Sequence, residues 1–556
     1  MHRLPAGLFP DSPRGERVRF TLDGRSLEGY THESLAAAIL AAGNTALSRS
    51  LRFHRPRAVF CATGECGWCA MEVDGVPSTP ACTVPCRDSL VARSENAWPS
   101  ARRDVLAPLD LLSPLLPYSF FHRRLLRPRS LRQLYLRLLR RFTGLGRLGE
   151  SPRSVAGLRT TGGPTRTRVV AETEVGVVGG GLAGLSAAVA AGECGARVIL
   201  LDDRATLGGG WLDRPDGWEH VRDLRRRLEE LPTVACWPRA LCVGLYPPRT
   251  LGVVTPDRLV ALRVHQVVLA PGALDTVPLF VDNDLPGVIS ARLVARLLVR
   301  EGLAPGTRAV VWGTPTLGDR VSSLMARAGI ETVRRLGDGE AIVAARGRGR
   351  VEGAVVRQPD GSTRTVACDL IVIAALEPRH EILTQAGAEV QWDAAFGPIP
   401  VRDRFLATTL PGVFLAGEAA GPADAARCLA EGRLAGLAAA RAAGRGIGSE
   451  IALLAPQLAR LPPEPAVVFP TRSAGGAGHV CFCEDVRERE IRAEMARGYR
   501  APELVKRRTG VLTGPCQGKF CLPNVLRVIG PGFAAPTSRP PAKPVRLGEL
   551  AVTEHG

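Results

Sequence analysis

Four cysteines in the N-terminal part of the chain lie close enough together to bind one metal-containing group. Cys61, Cys66 and Cys69 fall within nine residues, and Cys82 follows after an interval of twelve. The resulting spacing, C-x4-C-x2-C-x12-C, is one in which four thiolates bind a plant-type [2Fe-2S] cluster. We therefore predict that these four thiolates, the N-terminal quartet, are cluster ligands.

A second group of cysteines lies near the C-terminus. Cys481 and Cys483 are separated by one residue, Cys516 and Cys521 by four, and 32 residues stand between the two pairs. Two close thiolates at each end of a short helical segment are enough for a second [2Fe-2S] cluster, and a tetrahedral zinc site is the alternative. The spacing of this C-terminal quartet favours the cluster and leaves zinc open.

A glycine-rich segment between the quartets has the pattern of a dinucleotide site. A buried strand leads into Gly179-x-Gly181-x-x-Gly184, which a helix and a second strand ending at Asp202 follow. The glycines allow a tight turn, the helix N-terminus offers free N–H groups to a pyrophosphate, and the acid can accept hydrogen bonds from a ribose. Both flanking strands are present, so the pattern predicts a bound dinucleotide.

Two further segments favour FAD as that dinucleotide. The stretch "TLGGG" contains Gly208 and Gly209, and "LPGVFLAGEAAG" places Gly417 and Glu418 at the end of a strand. Both resemble the segments by which flavoproteins with two dinucleotide-binding domains hold the flavin and its ribityl chain. Asp is usual at the position of Glu418. We predict that these four residues line the FAD site.

A second glycine segment departs from the first. "RAVVWGTPTLGDRVSSLMARAGIETVRRL" repeats the order of strand, glycine loop, helix and strand. Pro315 stands where the middle glycine belongs, and its ring fills space and donates no N–H. The following strand ends in Arg334 and Arg335, with no acid in the ribose position. The pattern predicts an inserted NAD-type domain that is degenerate, and NAD(P) binding there is not favoured.

Composition limits the class of protein. The 556 residues are enough for several domains, and the sequence predicts neither a signal peptide nor an apolar run of membrane-spanning length. The net charge is +18, but lysine occurs only at positions 506, 519 and 543, so the charge reflects arginine usage along the whole chain. We expect a cytoplasmic protein with free or metal-bound cysteines that does not bind nucleic acid.

The order of these features resembles a known family along almost the whole chain. The segments that match are "HRPRAVFCATGECGWC", "ENAWPS", "DLLSPLLP", "GLGR", "VVGGGLAGLSAA", "DNDLPGV", "AEGRLAGLAAA", "GPCQGKFC" and "RPPAKPVRLGELA". They are similar to the α subunits of heteromeric sarcosine oxidases and to their relatives, the opine oxidases, hydrogen cyanide synthase and two-subunit proline or hydroxyproline dehydrogenases. The C-terminal quartet is similar to bacterioferritin-associated ferredoxin, which favours iron–sulfur over zinc.

The resemblance implies a role for this chain in electron transfer. In such relatives a secondary amine is oxidised to an imine on a D-amino-acid-oxidase-like β subunit with its own FAD, in some cases with FMN at the subunit interface. Sarcosine oxidase α chains continue into a folate-binding half, whereas this sequence ends at Gly556, so we expect the form without that half. In some members the first nucleotide site holds an adenine nucleotide other than FAD.

The resemblance and the patterns together predict a multidomain α/β and α+β fold. An alternative function is a self-sufficient NAD(P)H-dependent reductase. No catalytic acid or base is predicted in this chain, because none of its candidate histidines has a convincing partner in the sequence. These histidines are His54, His220, His265 and His380. The predicted segments are a β-grasp [2Fe-2S] ferredoxin-like domain at 1–100, a helical linker at 101–170, the two parts of an FAD-binding Rossmann-like domain at 171–294 and 385–470, the degenerate NAD-type domain at 295–384, a small helical [2Fe-2S] domain at 475–535 and an extended tail at 536–556.

Two local helices are also predicted. "THESLAAAILAAG" predicts a helix with Thr31 as its N-cap that ends at Gly43. In "SLRQLYLRLLRRF", Leu131, Leu134, Leu138 and Phe142 share one face with arginines opposite. This pattern is typical of a linker helix packed on a neighbouring domain, and a helix on a membrane surface is the alternative.

Overall fold

The structure is a computed structural model of the chain. It describes residues 1–9, 15–115, 133, 166–393, 396–446, 449–462, 465 and 467–550. The predicted linker helix around Leu131 to Leu138 lies outside the described residues, apart from Gln133. Among the described helices, none combines the length and the apolar composition that crossing a membrane requires.

The chain forms two compact units, each assembled from three segments that are distant in sequence. Unit 1 comprises segments 1–156, 275–375 and 467–535. Unit 2 comprises segments 157–274, 376–466 and 536–556. Segments that are far apart along the chain therefore pack together within each unit.

The N-terminal segment of unit 1 forms a five-stranded sheet in the order β3-β2-β8-β6-β7, with β2 and β8 parallel. Its helix begins at Leu35 because the Ser34 hydroxyl accepts the N–H of Ala37 at 3.2 Å. The prediction of Thr31 as N-cap is therefore wrong, since the chain turns into the helix three residues later. The elements are β1 (His2–Arg3), β2 (Arg17–Leu22), β3 (Arg25–Tyr30), α1 (Leu35–Ala41), β4 (Ser48–Arg49), β5 (Pro56–Arg57), β6 (Ala70–Val73), β7 (Val76–Pro80) and β8 (Val91–Ser94).

The first segment of unit 2 contains most of a seven-stranded sheet. The order is β11-β10-β9-β14-β13-β12, with the first four strands parallel and the last two joined as an antiparallel meander. The parallel strands are apolar and buried where they flank the glycine segment, as expected for a sheet covered on both faces. The elements are β9 (Thr167–Val178), α2 (Leu182–Glu193), β10 (Val198–Asp202), α3 (Trp218–Glu229), β11 (Val234–Pro238), β12 (Leu241–Tyr246), β13 (Thr250–Val254), β14 (Arg258–Leu269) and β15 (Ala273–Asp275).

The middle segment of unit 1 forms a parallel four-stranded sheet in the order β16-β23-β18-β19 and an antiparallel sheet of β20, β21 and β22. The N-terminal strand β1 pairs antiparallel with β17. The elements are β16 (Val288–Ser290), α4 (Ala291–Val299), β17 (Leu303–Ala304), β18 (Arg308–Gly313), α5 (Pro315–Arg327), β19 (Glu331–Arg335), β20 (Ala341–Arg346), β21 (Gly353–Arg357), β22 (Thr363–Ala367) and β23 (Leu370–Ala374).

The second segment of unit 2 completes the seven-stranded sheet, because β27 pairs in parallel with β14. Helix α7 lies against α2, and a Cβ atom at Gly432 would stand only 2.2 Å from the Ala183 carbonyl oxygen, so a glycine permits this close approach. The elements are β24 (Leu376–Pro378), α6 (Glu381–Gln385), β25 (Val390–Asp393), β26 (Gly397–Pro400), β27 (Val413–Leu415), α7 (Ala425–Ala442) and α8 (Ser449–Arg460).

The last segment of unit 1 is a small helical module, and a short helix follows it in unit 2. The buried side chains of the module include Val480, Ile491 and Val525. The elements are β28 (His479–Cys481), β29 (Val486–Arg487), α9 (Glu488–Ala496), α10 (Pro502–Thr509), α11 (Leu522–Ile529) and α12 (Leu547–Leu550). The multidomain α/β and α+β fold predicted from the sequence is confirmed.

Candidate functional site

The N-terminal quartet is a buried group of mutually contacting thiols between β5 and β6 and just beyond β7. Burial opposes ionisation of Cys61, yet hydrogen bonds from Cys66, Cys82 and Thr63 lower the pKa of Cys61 well below its ordinary value. Cys82 also contacts Cys69. The four thiols are therefore linked in the order Cys66, Cys61, Cys82, Cys69, as ligands of one shared group require.

An arginine from the middle segment of unit 1 fixes this cysteine loop. Arg296 donates to the carbonyl oxygen of Ala62 at 2.7 Å and to that of Cys82 at 3.3 Å. The same guanidinium is paired with the buried Glu301 at 2.8 Å. The first and last parts of the quartet are thus tied together by a residue more than two hundred positions away in the chain.

The C-terminal quartet is connected in the same way. Hydrogen bonds from Cys483 and Cys521 lower the pKa of Cys481 well below its ordinary value, and the same two thiols lower the pKa of Cys516. Each thiol therefore contacts two others, which closes a ring of four. All four predicted ligands come together, although 32 residues separate the two pairs.

The arrangement bears on the zinc alternative. A structural zinc ion needs four ligands around one point, whereas a [2Fe-2S] cluster shares four thiolates between two irons. Contacts among four thiols are compatible with both groups, and the match of residues 479–530 to a BFD-like [2Fe-2S] binding domain favours the cluster.

The first glycine loop, residues 179–184, is shaped by close backbone contacts. Gly179 has a φ of +105°, and a Cβ atom there would lie 2.2 Å from the Ala270 carbonyl oxygen. A Cβ at Gly184 would lie 1.7 Å from the Gly179 carbonyl oxygen, whereas one at Gly181 would meet no atom within 4 Å. The outer side of the loop is therefore open at the start of α2, where the N–H groups of a helix N-terminus attract a pyrophosphate.

Asp202 supports this loop from the end of β10. One carboxylate oxygen accepts the N–H of Gly180 at 2.6 Å, and the other accepts that of Arg204 at 2.8 Å. Burial and the neighbouring Asp203 raise the pKa of Asp202. A carboxylate can accept about four hydrogen bonds, so the two observed ones leave capacity for the predicted ribose contact, which stays a prediction.

Gly208 and Gly209, predicted to line the FAD site, follow β10 and lie against the first glycine loop. Gly208 donates its N–H to the Gly180 carbonyl oxygen at 2.7 Å. A Cβ atom at Gly209 would be 3.1 Å from the Cα of Gly181. The structure therefore brings the "TLGGG" segment onto the glycine loop, as a shared binding site requires.

Gly417 reaches the same place from β27. A Cβ atom there would lie 2.7 Å from the Cβ of Ala183 in α2. The Gly417 N–H donates to the buried Glu431 at 2.8 Å, and Glu431 also forms a bidentate pair with Arg402 at 2.8 Å for both bonds. Sequence reasoning missed both charged residues, although Glu431 lies in the matching segment "AEGRLAGLAAA".

Glu418 has a partner that the sequence did not indicate. Its carboxylate accepts a hydrogen bond from the buried Arg214 at 3.0 Å, and the Arg214 guanidinium lies 4.4 Å from the ring centre of Trp211. Among the described residues, Nε and Nη2 of Arg214 are buried without a hydrogen-bond partner. Two donors are therefore available to an acceptor beside Glu418, which fits a dinucleotide with several acceptor groups.

The second glycine loop, residues 313–318, is closed. Pro315 begins α5, so it removes an N–H from the first helical turn. The Arg335 guanidinium folds back from the end of β19 and donates to the carbonyl oxygens of Gly313 at 3.2 Å and Thr314 at 2.9 Å. A Cβ at Gly318 would lie 2.3 Å from this guanidinium. An arginine thus packs on the loop where a nucleotide would otherwise approach.

His54 has a partner that the sequence did not indicate. It is buried and hydrogen-bonded to Asp104 at 2.8 Å. Burial opposes ionisation of Asp104, but the hydrogen bond from His54 lowers its pKa. Asp104 is fifty residues away in the chain, so no local pattern connects the two, and the contact is that of a structural histidine.

Comparison with family models assigns three regions. Residues 15–97 match a 2Fe-2S iron-sulfur cluster binding domain, residues 177–227 an NAD(P)-binding Rossmann-like domain, and residues 479–530 a BFD-like [2Fe-2S] binding domain. Each quartet lies inside one [2Fe-2S] match, and the first glycine loop lies inside the Rossmann match. The predicted domain types for iron–sulfur and dinucleotide binding are confirmed.

Similar proteins cover the chain more widely. The α subunit of sarcosine oxidase from Rhizobium meliloti (strain 1021) is 29% identical over 612 residues, covering 100% of this chain and 59% of the relative. An opine oxidase subunit from the same organism is 28% identical over 67% of this chain and 97% of its own length. The chain therefore spans less than two thirds of the sarcosine oxidase relative.

A solved structure supports the fold of both units. L-proline dehydrogenase from P. horikoshii superimposes with a TM-score of 0.75 at 22% identity, over 98% of this chain and 100% of that chain. At this identity the likeness shows the fold. The sequence relatives and the domain matches show that the chain is similar to the α subunits of sarcosine oxidases along its whole length and to opine oxidase subunits over about two thirds of it.

Proposed function

We propose that this chain is the electron-transferring flavin and iron–sulfur α subunit of a heteromeric amine or amino-acid dehydrogenase or oxidase. The observation that carries the proposal is the combination of one open dinucleotide loop with two cysteine quartets, seven of whose eight thiols are buried, in a single chain. The relatives that match it are subunits of amine-oxidising enzymes by name. The substrate class is a secondary amine, such as an opine, a proline-like acid or an N-methylamino acid.

The chain's own residues have distinct tasks in this proposal. The two quartets hold the [2Fe-2S] clusters in buried surroundings, and the glycine loop with Asp202, Gly208, Gly209, Gly417 and Glu418 holds FAD. When bound, these groups supply the two-electron and one-electron redox chemistry. Arg214, placed on Glu418 with two further donors free, orients the acceptor groups of the dinucleotide.

The amine is oxidised to an imine on a partner in this proposal. That partner is a D-amino-acid-oxidase-like β subunit with its own FAD, and an FMN at the interface is part of the proposal. No catalytic acid or base is assigned to this chain, and the final electron acceptor is left open. The predicted domain limits and the cytoplasmic location stay predictions.

The first test is anaerobic absorbance of the purified chain, recorded before and after NADH, NADPH and then dithionite. We expect flavin and cluster bands that bleach with dithionite and not with either nicotinamide, because the second glycine loop is closed. Bleaching by NADH or NADPH would replace the proposal with the self-sufficient reductase. Protein without flavin or cluster bands would contradict both functions.

A pair of cysteine variants assigns the ligands. Cys69→Ser removes one member of the N-terminal quartet, and Cys236→Ser removes an exposed thiol outside both quartets. We expect Cys69→Ser to lose about half of the iron and acid-labile sulfide, because a [2Fe-2S] cluster needs four protein ligands. Cys236→Ser should keep the wild-type content. Equal content in all three proteins would contradict the assignment of the N-terminal quartet.

A further inference from the structure

Two aromatic contacts join the cysteine segments of unit 1. The rings of Trp68 and Phe482 lie 4.9 Å apart between centres at 61°, and those of Phe60 and Phe520 lie 6.1 Å apart at 79°. These are the distances and edge-to-face angles of favourable aromatic pairs. Each pair connects a residue from the N-terminal segment with one from the C-terminal segment, more than four hundred positions away.

Each of these rings is a direct chain neighbour of a quartet cysteine. Phe60 precedes Cys61 and Trp68 precedes Cys69, while Phe520 precedes Cys521. Phe482 stands between the remaining pair, as the middle residue of "CFC". The ring of Phe60 also lies 5.2 Å from that of Trp68. The four rings therefore form one aromatic group in which the two rings of the N-terminal quartet each contact a ring of the C-terminal quartet.

The surroundings of the rings exclude water. Phe60 is 0% exposed and Trp68 2% exposed, and both belong to one apolar core with Cys66, Cys516 and Phe520. The two quartets thus contribute to the same core. Atoms packed in van der Waals contact transmit electrons over short distances better than a gap or bulk water does.

A buried arginine contacts both members of the Trp68–Phe482 pair. Arg57 donates to the carbonyl oxygen of Phe482 at 3.0 Å, and its guanidinium lies 5.6 Å from the ring centre of Trp68. It is also paired with the buried carboxylates of Asp284 and Asp485. One residue from β5 therefore contacts both members of the pair and is itself fixed by two charges.

The indole N–H of Trp68 is a buried hydrogen-bond donor without an acceptor in the described part of the protein. An unsatisfied buried donor is costly, and indole can only donate. A cluster sulfur beside this ring would accept the hydrogen bond, and such bonds tune the potential of iron–sulfur centres.

We propose that the two quartets form one electron relay, in which the clusters exchange electrons directly across two aromatic contacts, Phe60 with Phe520 and Trp68 with Phe482. In each exchange one ferrous iron of the donor cluster becomes ferric and one ferric iron of the acceptor cluster becomes ferrous, and no proton or other atom moves. The proposal rests on the cluster assignment made under the proposed function. In this relay, unit 1 stores both electrons of a two-electron oxidation and passes them from one cluster to the other without a further electron carrier between the clusters.

The test is electron paramagnetic resonance of the whole wild-type chain at successive stages of anaerobic reduction by dithionite. Iron and acid-labile sulfide are measured first, so that missing clusters, which would contradict the proposed function, are recognised separately. With both clusters present, we expect signals that broaden or split between half and full reduction, because two nearby paramagnetic centres then interact. A fully reduced spectrum equal to the sum of two independent signals would overturn the relay.

Three variants test the role of the rings. Trp68→Phe keeps a ring and removes the N–H, Trp68→Leu removes the ring, and Trp98→Leu changes a tryptophan that is 67% exposed. After rapid delivery of one electron, redistribution between the clusters should be slower in Trp68→Leu than in Trp68→Phe, and unchanged in Trp98→Leu. Equal rates in all of them would overturn the aromatic route. If Trp68→Leu binds less iron, Phe520→Leu serves as the ring-removing variant, and the wild-type spectrum still decides whether the clusters interact.

Discussion

The two glycine loops begin from the same pattern of strand, glycine turn and helix and reach opposite states. In the first loop the position of Gly181 is open to at least 4 Å, and Asp202 holds the loop from the neighbouring strand. In the second loop Pro315 occupies the first helical position and Arg335 donates to two loop carbonyl groups. In each motif the residue at the end of the strand that follows the helix binds the loop. Asp202 accepts a backbone N–H of the first loop, whereas Arg335 donates to backbone carbonyl groups of the second.

The difference has a simple electrostatic reason. A carboxylate accepts hydrogen bonds, so Asp202 binds a backbone N–H group of the first loop and does not bind the carbonyl oxygens of that loop. A guanidinium only donates, so Arg335 must bind carbonyl oxygens and lies across the loop. The two loops therefore differ both in the charge of the side chain that binds them and in the proline at the start of the second helix.

The largest expected effect comes from adding one methyl group to each loop. Gly184→Ala places a Cβ 1.7 Å from a backbone oxygen that cannot move aside, so we expect complete loss of bound flavin and more than ~4 kcal/mol of lost stability. Gly318→Ala is the matched control, because its Cβ meets the end of the flexible Arg335 side chain. Flavin content and urea unfolding measure both. Flavin retained in Gly184→Ala would contradict this close packing of the loop.

The second effect concerns the ion pair beside the first loop. Arg214→Met leaves Glu418 buried without its partner, so we expect a loss of about 3 kcal/mol of stability and weaker flavin binding. Arg226→Met, which removes an exposed pair with Asp223, should change stability by less than about 0.5 kcal/mol. Thermal unfolding and flavin titration of the apoprotein provide the measurements. Unchanged flavin affinity would show that Arg214 stabilises the unit without contacting the dinucleotide.

The third prediction attempts to open the second loop. Arg335→Ala removes the guanidinium and should cost about 1 kcal/mol through its lost hydrogen bonds. Combined with Pro315→Gly it frees the space in front of α5, and we expect NADH binding by calorimetry only in the double variant. Arg334→Ala, whose partner is Glu340, is the control. NADH binding by the wild-type chain would show that the loop is not closed.

The smallest effect concerns the acid that follows Asp202. Burial opposes ionisation of Asp203, but Lys543 lowers its pKa to about 2 from an ordinary value of 3.8. A lowered pKa means that the stabilisation is complete above the ordinary value and is lost as the pH falls through the folded-state value. Lys543→Met should therefore cost about 0.2–1 kcal/mol near neutral pH.

The pH dependence of that variant provides its own check. Urea unfolding of wild type and Lys543→Met is compared at about pH 6 and about pH 2, where the difference should shrink. Lys506→Met, which removes an exposed pair with Glu503, controls for the loss of a lysine. A difference that is equal at both pH values would indicate that Lys543 acts through packing.

Local spacing was sufficient for much of the site. The N-terminal quartet and the glycines of the first loop come together as the sequence predicts, because they lie in short stretches of the chain or in one strand-turn-helix unit. The C-terminal quartet also comes together, although its two pairs are 32 residues apart. Pro315 also indicates from the sequence alone that the second loop is defective. Thr31, by contrast, was a wrong choice of helix cap, because several residues in "THES" suit that position and packing selects Ser34.

The sequence by itself determined the types of site in this protein, since thiolate spacing and glycine position are local properties of the chain. Only the tertiary structure decided what surrounds them: Arg214 on Glu418, Arg335 across the second loop, and the rings of Phe60 and Trp68 against those of Phe520 and Phe482. These contacts join residues about 20 to more than 400 positions apart. Their energies depend on burial and on the geometry of side chains from different segments, which no spacing along the chain specifies.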